Sequence, residues 1–345
     1  MRYARRLLAA LAAFALILAA CQASRPIGGG TQGAVPSDVG VGPRSTFVVA
    51  TPAGLLGLDA SGRPLGRIVD LPQGAVPSGV SLGPDGNTLF FALSETRSGV
   101  GFGSDIYRVN VDGSDLRVLI AREGANVFYA SPSADASGGL YVHRRMAKDD
   151  PTNPGVYLGT TDAIERLDLA SGVRRKVLDD GAEPNFVPGG KALIFVHLDR
   201  GQQAGIWTAR ADGTGAAPLL KTGDSFWWLQ SPRLSPNGNQ LTWSSAGRAN
   251  PKSASPSVVA RGGTGNRLAH LDIPSELYVA PLDGTSLKSI ALTRDDVVPA
   301  WSADSTKIAY IALSTFYVVA AADGEVITHT EGIGFNYGDL VWLPK

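Results

Sequence analysis

From residue 46 onward the apolar positions fall into short runs of about four to eight residues, each closed by glycine, proline, aspartate or serine. A period of two marks a strand with one face buried. No stretch after residue 21 keeps the period of an amphipathic helix. Residues 76–82, 88–94, 104–111 and 115–120 form one set of four such runs, with Ile106, Tyr107, Val109 and Val111 marking the apolar positions of the third.

The runs recur in a fixed order. One element is a turn followed by a strand. It reads Gly83-Pro84-Asp85-Gly86 before LFFAL, Val187-Pro188-Gly189-Gly190 before LIFVH, Ser235-Pro236-Asn237-Gly238 before LTWSS, and Ser302-Ala303-Asp304-Ser305 before IAYIA. A degenerate copy, Ser133-Ala134-Asp135, precedes LYVHR. The second element is a hairpin turn: Ala60-Ser61-Gly62, Val111-Asp112-Gly113, Ala170-Ser171-Gly172, Ala211-Asp212-Gly213, Leu282-Asp283-Gly284 and Ala322-Asp323-Gly324. Glycine there supplies the positive φ that a tight hairpin needs. Six turns predict six units of about 50 residues over residues 46–345; seven of about 43 also fit the length, but no seventh turn is present. Four-stranded units repeating radially make a propeller. The expected fold is therefore all-β, a six-bladed β-propeller with four-stranded blades. The first unit (FVVAT, LLGLD, GRIVD) lacks an innermost strand, and residues 339–344 (DLVWLP) resemble the missing piece. The expectation is a C-terminal strand closing the first blade, which leaves no inner sheet edge exposed.

The combined pattern, S-P-D-G-x-x-[LI]-x-[FWY] followed by I-Y-x-[VA]-x-x-D-G-[ST], resembles the TolB-type, WD40-like β-propeller family. Residues 106–115 (IYRVNVDGSD) are the best copy, followed by 206–214 (IWTARADGT) and 277–285 (LYVAPLDGT). The resemblance covers about 300 residues and implies the fold. It does not by itself imply a function, since propellers host binding modules, scaffolds and enzymes. In TolB an α/β domain precedes the propeller. Here a tether stands in its place, so the resemblance does not extend to a role in the Tol complex.

The N-terminus reads as an address. Arg2, Arg5 and Arg6 precede an apolar run over residues 7–20, too short to span a bilayer comfortably and right for a secretory signal. Leu18-Ala19-Ala20-Cys21 resembles the bacterial lipoprotein box. Residues 1–20 are thus expected to be a signal peptide, followed over 21–45 by a lipidated Cys21 and a flexible tether rich in Gly, Pro, Ser and Gln. The rest of a twin-arginine motif is missing, which favours Sec export. Gln22, rather than Asp, favours the outer membrane in a double-membrane bacterium. Cys21 is the only cysteine, so no intramolecular disulfide can form. Loss of residues 1–20 leaves 28 basic against 31 acidic side chains, a formal charge of −3. Such a balance argues against nucleic acid as a partner. A hydrophobic content of 44% excludes global disorder.

Strand directions alternate in a propeller. Loops joining successive units therefore share one end with the second-to-third-strand loops, and the Asp-Gly hairpins lie at the other. Residues 94–104, 144–163, 197–205 and 245–275 exceed what the fold needs at the first end. Such insertions either carry function or are drift of surface loops. Aromatics gather between units at the same end: Phe128-Tyr129, Phe226-Trp227-Trp228 and Phe335-Asn336-Tyr337. The 245–275 insertion carries Arg248, Lys252, Arg261 and Arg267 against Asp272, a local charge of +3. Arg144, Arg145, Lys148 and Arg200 lie in neighbouring loops, offset by Asp149, Asp150, Asp162 and Asp199. An aromatic floor with a basic rim suits a peptide, a carboxylate-bearing ligand or a glycan. The candidate ligand-binding residues are Arg144, His197, Tyr129, Phe226, Trp227, Trp228 and Tyr337.

His143 and His197 end the second strands of adjacent units and could meet as metal ligands, but no third histidine is near in the repeat. No G-x-S-x-G elbow is present. The reading assigns no catalytic residue, no metal and no cofactor. It favours a monomeric, lipid-anchored envelope protein that binds a protein, peptide or envelope ligand without catalysis. The alternatives are a purely structural envelope protein and an enzyme working in the central channel, a lactonase-like hydrolase or a sugar-processing enzyme. Convergence of Glu183, Asp224, Asp295 and Asp296 at the channel mouth would favour the enzyme.

Overall fold

The computed structural model describes residues 36–153, 156–186, 192–222, 226, 228–246, 275–283 and 286–344. The lipoprotein box with Cys21, residue Trp227 and most of the 245–275 insertion lie outside them.

The strands follow the repeat. The first unit is β1 (Phe47–Thr51), β2 (Gly54–Leu58) and β3 (Pro64–Arg67). The second is β4 (Val76–Leu82), β5 (Thr88–Arg97), β6 (Gly101–Asn110) and β7 (Arg117–Ile120). The third is β8 (Val127–Ala134), β9 (Gly139–Asp149), β10 (Tyr157–Asp168) and β11 (Arg174–Asp179). The fourth is β12 (Gly181–Phe186), β13 (Ala192–Asp199), β14 (Gln202–Arg210) and β15 (Ala217–Lys221). The fifth is β16 (Trp228–Leu234), β17 (Gln240–Ala246), β18 (Ser275–Pro281) and β19 (Lys288–Leu292). The sixth is β20 (Ala300–Trp301), β21 (Lys307–Ala312), β22 (Thr315–Ala320) and β23 (Val326–Glu331). A last strand, β24 (Asp339–Trp342), returns to β1 with Phe47 opposite Trp342 and Val49 opposite Leu340.

Among the described residues these strands form four four-stranded sheets and one eight-stranded sheet. The eight-stranded sheet joins the second and third units through a parallel pairing of β6 with β8 at Ser104 and Phe128. The first sheet has the order β24-β1-β2-β3, so the C-terminal strand is its inner edge.

Period-two alternation sends successive side chains to opposite faces. In β1, Phe47 and Val49 pack with Ile311, Phe316 and Leu340, while Val48 and Ala50 pack with Leu89, Phe91 and Val109. One strand thus feeds two inter-sheet cores, and all five of its residues are buried. The hairpin glycines have positive φ, from 73° at Gly172 to 89° at Gly213. Several also meet a neighbouring unit. A Cβ on Gly113 would lie 2.5 Å from the Ile68 carbonyl oxygen, one on Gly213 2.2 Å from that of Val177, and one on Gly324 2.0 Å from that of Ile290. Each turn leans on the outer strand of the preceding unit, and a side chain there would separate them.

Three features depart from expectation. Residues 94–104, 144–163 and 197–205 are largely strand, because β5–β6, β9–β10 and β13–β14 continue as ladders beyond the sheet body. Gly99 and Gly101, at φ of 78° and 93°, turn the first of these within a few residues. Residues 38–45, read as the end of a tether, are docked: Asp38 accepts the Arg67 N–H at 2.8 Å and Val41 is fully buried. Finally, Phe128, Tyr129 and Trp228 lie on strands β8 and β16 rather than in loops.

Candidate functional site

The first strand of the second to fifth units bends at one position. The ladder shifts register between Ser78 and Ser81, Ala130 and Ser133, Ala182 and Asn185, and Gln230 and Arg233. Gly79, Ser131, Glu183 and Ser231 stand there with φ between 47° and 61°. Such bulges re-aim side chains and backbone groups. Here they surround a central channel of about 300 Å³, lined from β4, β8, β12, β16, β20 and β24.

Two carboxylates sit at this level. Glu183 accepts the Ser231 N–H at 2.5 Å, and Asp339 accepts the Gly79 N–H. Each ties its unit to the next around the ring. Burial pushes the Glu183 carboxyl above the usual carboxylate range, Asp339 and Asp296 add to the rise, and Arg233 with the Ser231 N–H opposes it. Burial raises Asp339 as well, against the Gly79 N–H and Arg233. Arg233 lines the channel; its Nη1 donates to the Pro232 carbonyl at 3.0 Å, and no carboxylate pairs with it among the described residues. Of the carboxylates named from sequence, Glu183 and Asp296 belong to this neighbourhood. Asp295 accepts the Asp296 N–H in its own loop, and Asp224 lies outside the described residues. Asp339 was missed as a site residue, although its strand was recognised.

At the end of the propeller carrying the extended hairpins, apolar side chains are exposed at or beside the tips: Phe102, Val156, Leu158, Leu313 and Tyr337. Phe102 packs edge-to-face on Phe128 at 5.6 Å between ring centres. Trp228 is half-buried at the head of β16, where its carbonyl accepts the Ser245 hydroxyl at 3.0 Å. His197 is half-buried against the Trp207 ring, 4.1 Å between centres.

Other candidates are held inside. Phe226 is buried edge-on to both Trp243 and Tyr278. Tyr129 is fully buried and its hydroxyl donates to Glu123 at 3.2 Å while accepting from Arg174 at 2.5 Å. Burial, reinforced by Glu165, pushes that phenol up to about 12. Arg144 stands 3.8 Å from Glu123 and 3.7 Å from Glu165, and Arg174 bridges the same two carboxylates. Arg144 and Tyr129 are thus brought together, but as parts of an ion network among β8–β11 and the preceding loop, and an aromatic floor built on Tyr129 and Phe226 is not present.

His143 lies within β9, not at its end. It is buried and its Nε2 meets Asp162 at 2.7 Å. Asp162 also accepts from Arg145 at 2.7 Å and from Thr160 at 2.6 Å. Burial alone would raise Asp162, but these hydrogen bonds and the Arg145 charge bring it down to about 2. Burial holds the His143 imidazole below its usual value, against the pull of Asp162. A second buried pair, Arg122 with Asp105 at 2.7 Å, fixes the root of the β5–β6 hairpin, since Arg122 also donates to the Glu95 and Gly101 carbonyls. Among the described residues no three His, Cys, Asp or Glu side chains converge closely enough to hold a metal ion.

No protein-family model matches this chain, and no curated protein matches it. Solved structures do. TolB from Acinetobacter baumannii superposes with a TM-score of 0.58 at 16% identity, over 87% of this chain and 66% of that one. A chain of a nidogen/laminin complex superposes with a TM-score of 0.60 at 12% identity, over 86% of this chain and 98% of that one. This chain therefore spans less than two thirds of the TolB chain. At such identities the likeness establishes the fold, a TolB-like β-propeller with four-stranded blades, and leaves binding and catalysis both open.

Proposed function

We propose that this chain is a six-bladed propeller, tethered outside the cytoplasmic membrane barrier through Cys21, that captures a protein or peptide of the cell envelope on the end carrying its extended hairpins. The six-blade count takes the eight-stranded sheet as two blades, because the single pairing at Ser104 and Phe128 is not a ladder. It is supported by the channel, which draws one strand from each of six units. The anchor rests on the sequence alone, on the apolar run ending in Cys21.

One observation carries the binding reading. The hairpins β5–β6 and β9–β10 outgrow the sheet and, with the 313–314 turn and the approach to β24, present Phe102, Val156, Leu158, Leu313 and Tyr337 to solvent at one end. Rigid scaffolds use such projections for recognition, with aromatic anchors supplying most of the energy. Trp227, Trp228, His197 and Tyr337 remain in the proposed contact set, joined by Phe102; Tyr129, Phe226 and Arg144 support it from beneath. Placing a photoactivatable residue at 102, 158 or 337 in the native envelope should give discrete covalent adducts. The same residue at 112 or 323, on the opposite end, should give none. Adducts from 112 and 323 alone, or from no position in protein shown to be folded and anchored, would overturn the proposal.

Catalysis in the channel is a second reading, favoured by the Glu183 and Asp339 carboxyls, which burial drives toward their neutral, proton-donating form.

A further inference from the structure

At the other end of the propeller, between the third and fourth units, a groove of about 470 Å³ is walled by three guanidinium groups: Arg166 on β10, Arg175 on β11 and Arg210 on β14. Arg166 and Arg175 are direct cross-strand partners, so both leave the sheet on the same face. Like charges in that position destabilise a pair of strands. Arg210 brings a third positive charge from the neighbouring unit.

The groove is shaped around these groups. Arg166 lies over the buried Tyr141 ring at 5.7 Å. Gly139 leaves it room, since a Cβ there would sit 2.4 Å from Arg166 Nε. The Tyr141 hydroxyl ties the two units by donating to the Ala211 carbonyl at 2.9 Å. The nearby carboxylates are committed to their own turns. Asp135 Oδ1 accepts from the Ser137 N–H, the Ser137 hydroxyl and the Gly139 N–H, and Asp212 Oδ1 accepts from the Thr214 N–H and hydroxyl. Asp168 Oδ1 accepts from Ser171 in the same way. The remaining oxygens of Asp135 and Asp168 meet Arg166, at 3.8 and 3.6 Å; Asp135 and Asp212 share the groove wall, and the Asp212 carboxylate feels the Arg210 charge. Arg210 donates to the Thr214 hydroxyl at 3.3 Å, and Arg175 makes no hydrogen bond or ion pair among the described residues, its charge acting on the Tyr141 phenol.

We propose that this groove is an anion site that takes a tetrahedral oxyanion, a phosphate or sulfate group, between Arg175 and Arg210 with Arg166 as the fixed wall. Guanidinium forks match such oxygens in pairs, and three of them from three strands surround a group that a single surface arginine would not retain. The site lies at the opposite end from the hairpin tips and does not depend on the partner-capture reading.

The test is calorimetric titration of the full chain with inorganic phosphate and with sodium sulfate at constant ionic strength, alongside flotation with phosphatidylglycerol vesicles of the mature chain carrying Cys21→Ser, so that no lipid anchor contributes. Expected is saturable binding of phosphate or sulfate that R175A and R210A each weaken at least tenfold. R200A, which removes an arginine 93% exposed elsewhere, should leave it unchanged. Arg175 and Arg210 are exposed, so neither variant threatens the fold, and R175K should retain part of the affinity. Flotation lost in R175A together with phosphate binding would identify a lipid headgroup as the source; phosphate binding without flotation would identify a soluble ligand. Either result supports the site. No saturable heat with either ion, or heats that R175A and R210A leave unaltered, would overturn it.

Discussion

Replacing Leu340 by alanine tests ring closure where it is most exposed to failure. Leu340 lies on β24 opposite Val49, is 3% exposed, and packs with Phe47, Leu56, Ile311 and Phe316 between the first and last units. Alanine removes three carbons from a site walled by two sheets that are held apart by their other contacts, so the space cannot collapse freely. Buried Leu→Ala changes of this kind cost about 2–5 kcal/mol, against a domain's stability of about 5–15 kcal/mol. At about 2–4 °C per kcal/mol the melting temperature should fall by about 4–20 °C. Val326→Ala on the outer strand β23, where the side chain is half exposed, serves as the control and should stay within about 0.5 kcal/mol. Thermal and urea unfolding followed by tryptophan fluorescence reports both. Deleting residues 339–345 should be worse than the point change, because it strips β1 of its inner partner, removes the buried Leu343 and takes the Asp339 acceptor from Gly79. If L340A melts with the parent, or the truncated chain folds with an unchanged melting temperature, β24 does not close the ring.

Four further outcomes are expected. Asp162 has its folded-state pKa depressed to about 2, so its contribution is present above the unfolded value near 4 and is lost as pH falls toward 2; D162N should flatten the acid limb of a stability–pH curve, and an identical limb would refute the assignment. Glu183 is shifted the other way, so its ionised form opposes folding as pH rises above the unfolded value; E183Q, whose amide oxygen can still accept the Ser231 N–H, should gain stability relative to the parent from about pH 4 upward, and a constant difference across pH would count against it. Cys21→Ser should move the protein from the membrane to the soluble fraction or leave the signal uncleaved, as read by fractionation and palmitate labelling; label surviving the substitution would exclude Cys21 as the lipid site. Phe102→Ala and Tyr337→Ala should each weaken partner capture by more than about 1 kcal/mol with unchanged melting, measured by crosslinking yield, whereas Arg144→Ala should lower the melting temperature by leaving Glu123 and Glu165 short of a counter-charge.

The repeat was legible because each of its signals is local. Asp112-Gly113 and its counterparts specify a tight turn from adjacent residues, and the apolar alternation around Val109 needs no knowledge of what lies across the strand. The closing strand was legible for the same reason, as a familiar pattern at an unfamiliar place. The long hairpins were not. Serine and glycine at 98–104 look like loop by composition, and what keeps β5 and β6 paired is tertiary. Arg122 holds the Glu95 and Gly101 carbonyls, and Gly103 must lack a side chain because a Cβ would lie 2.7 Å from Arg122. Tyr129 and Phe226 were drawn into the candidate site by their position between units, but an aromatic between units is also what fills the seam between two sheets. Only packing tells the two apart, and here it buries both. Asp339 was hidden by distance, since the N–H it accepts lies 260 positions away.

The pairing of β24 with β1 also sets an order in time. On the export route proposed above, the chain would cross a membrane N-terminus first, delivering β1 at the outset and β24 only after every other strand has passed. Until then β1 presents an unpaired row of N–H and C=O groups, a template for joining another copy. Folding of the ring is therefore completed by the tail of the chain, and slow or stalled translocation leaves an open, adhesive intermediate. Variants in residues 339–342 should for this reason reveal themselves first in the yield of folded protein, before any change in the molecules that do close.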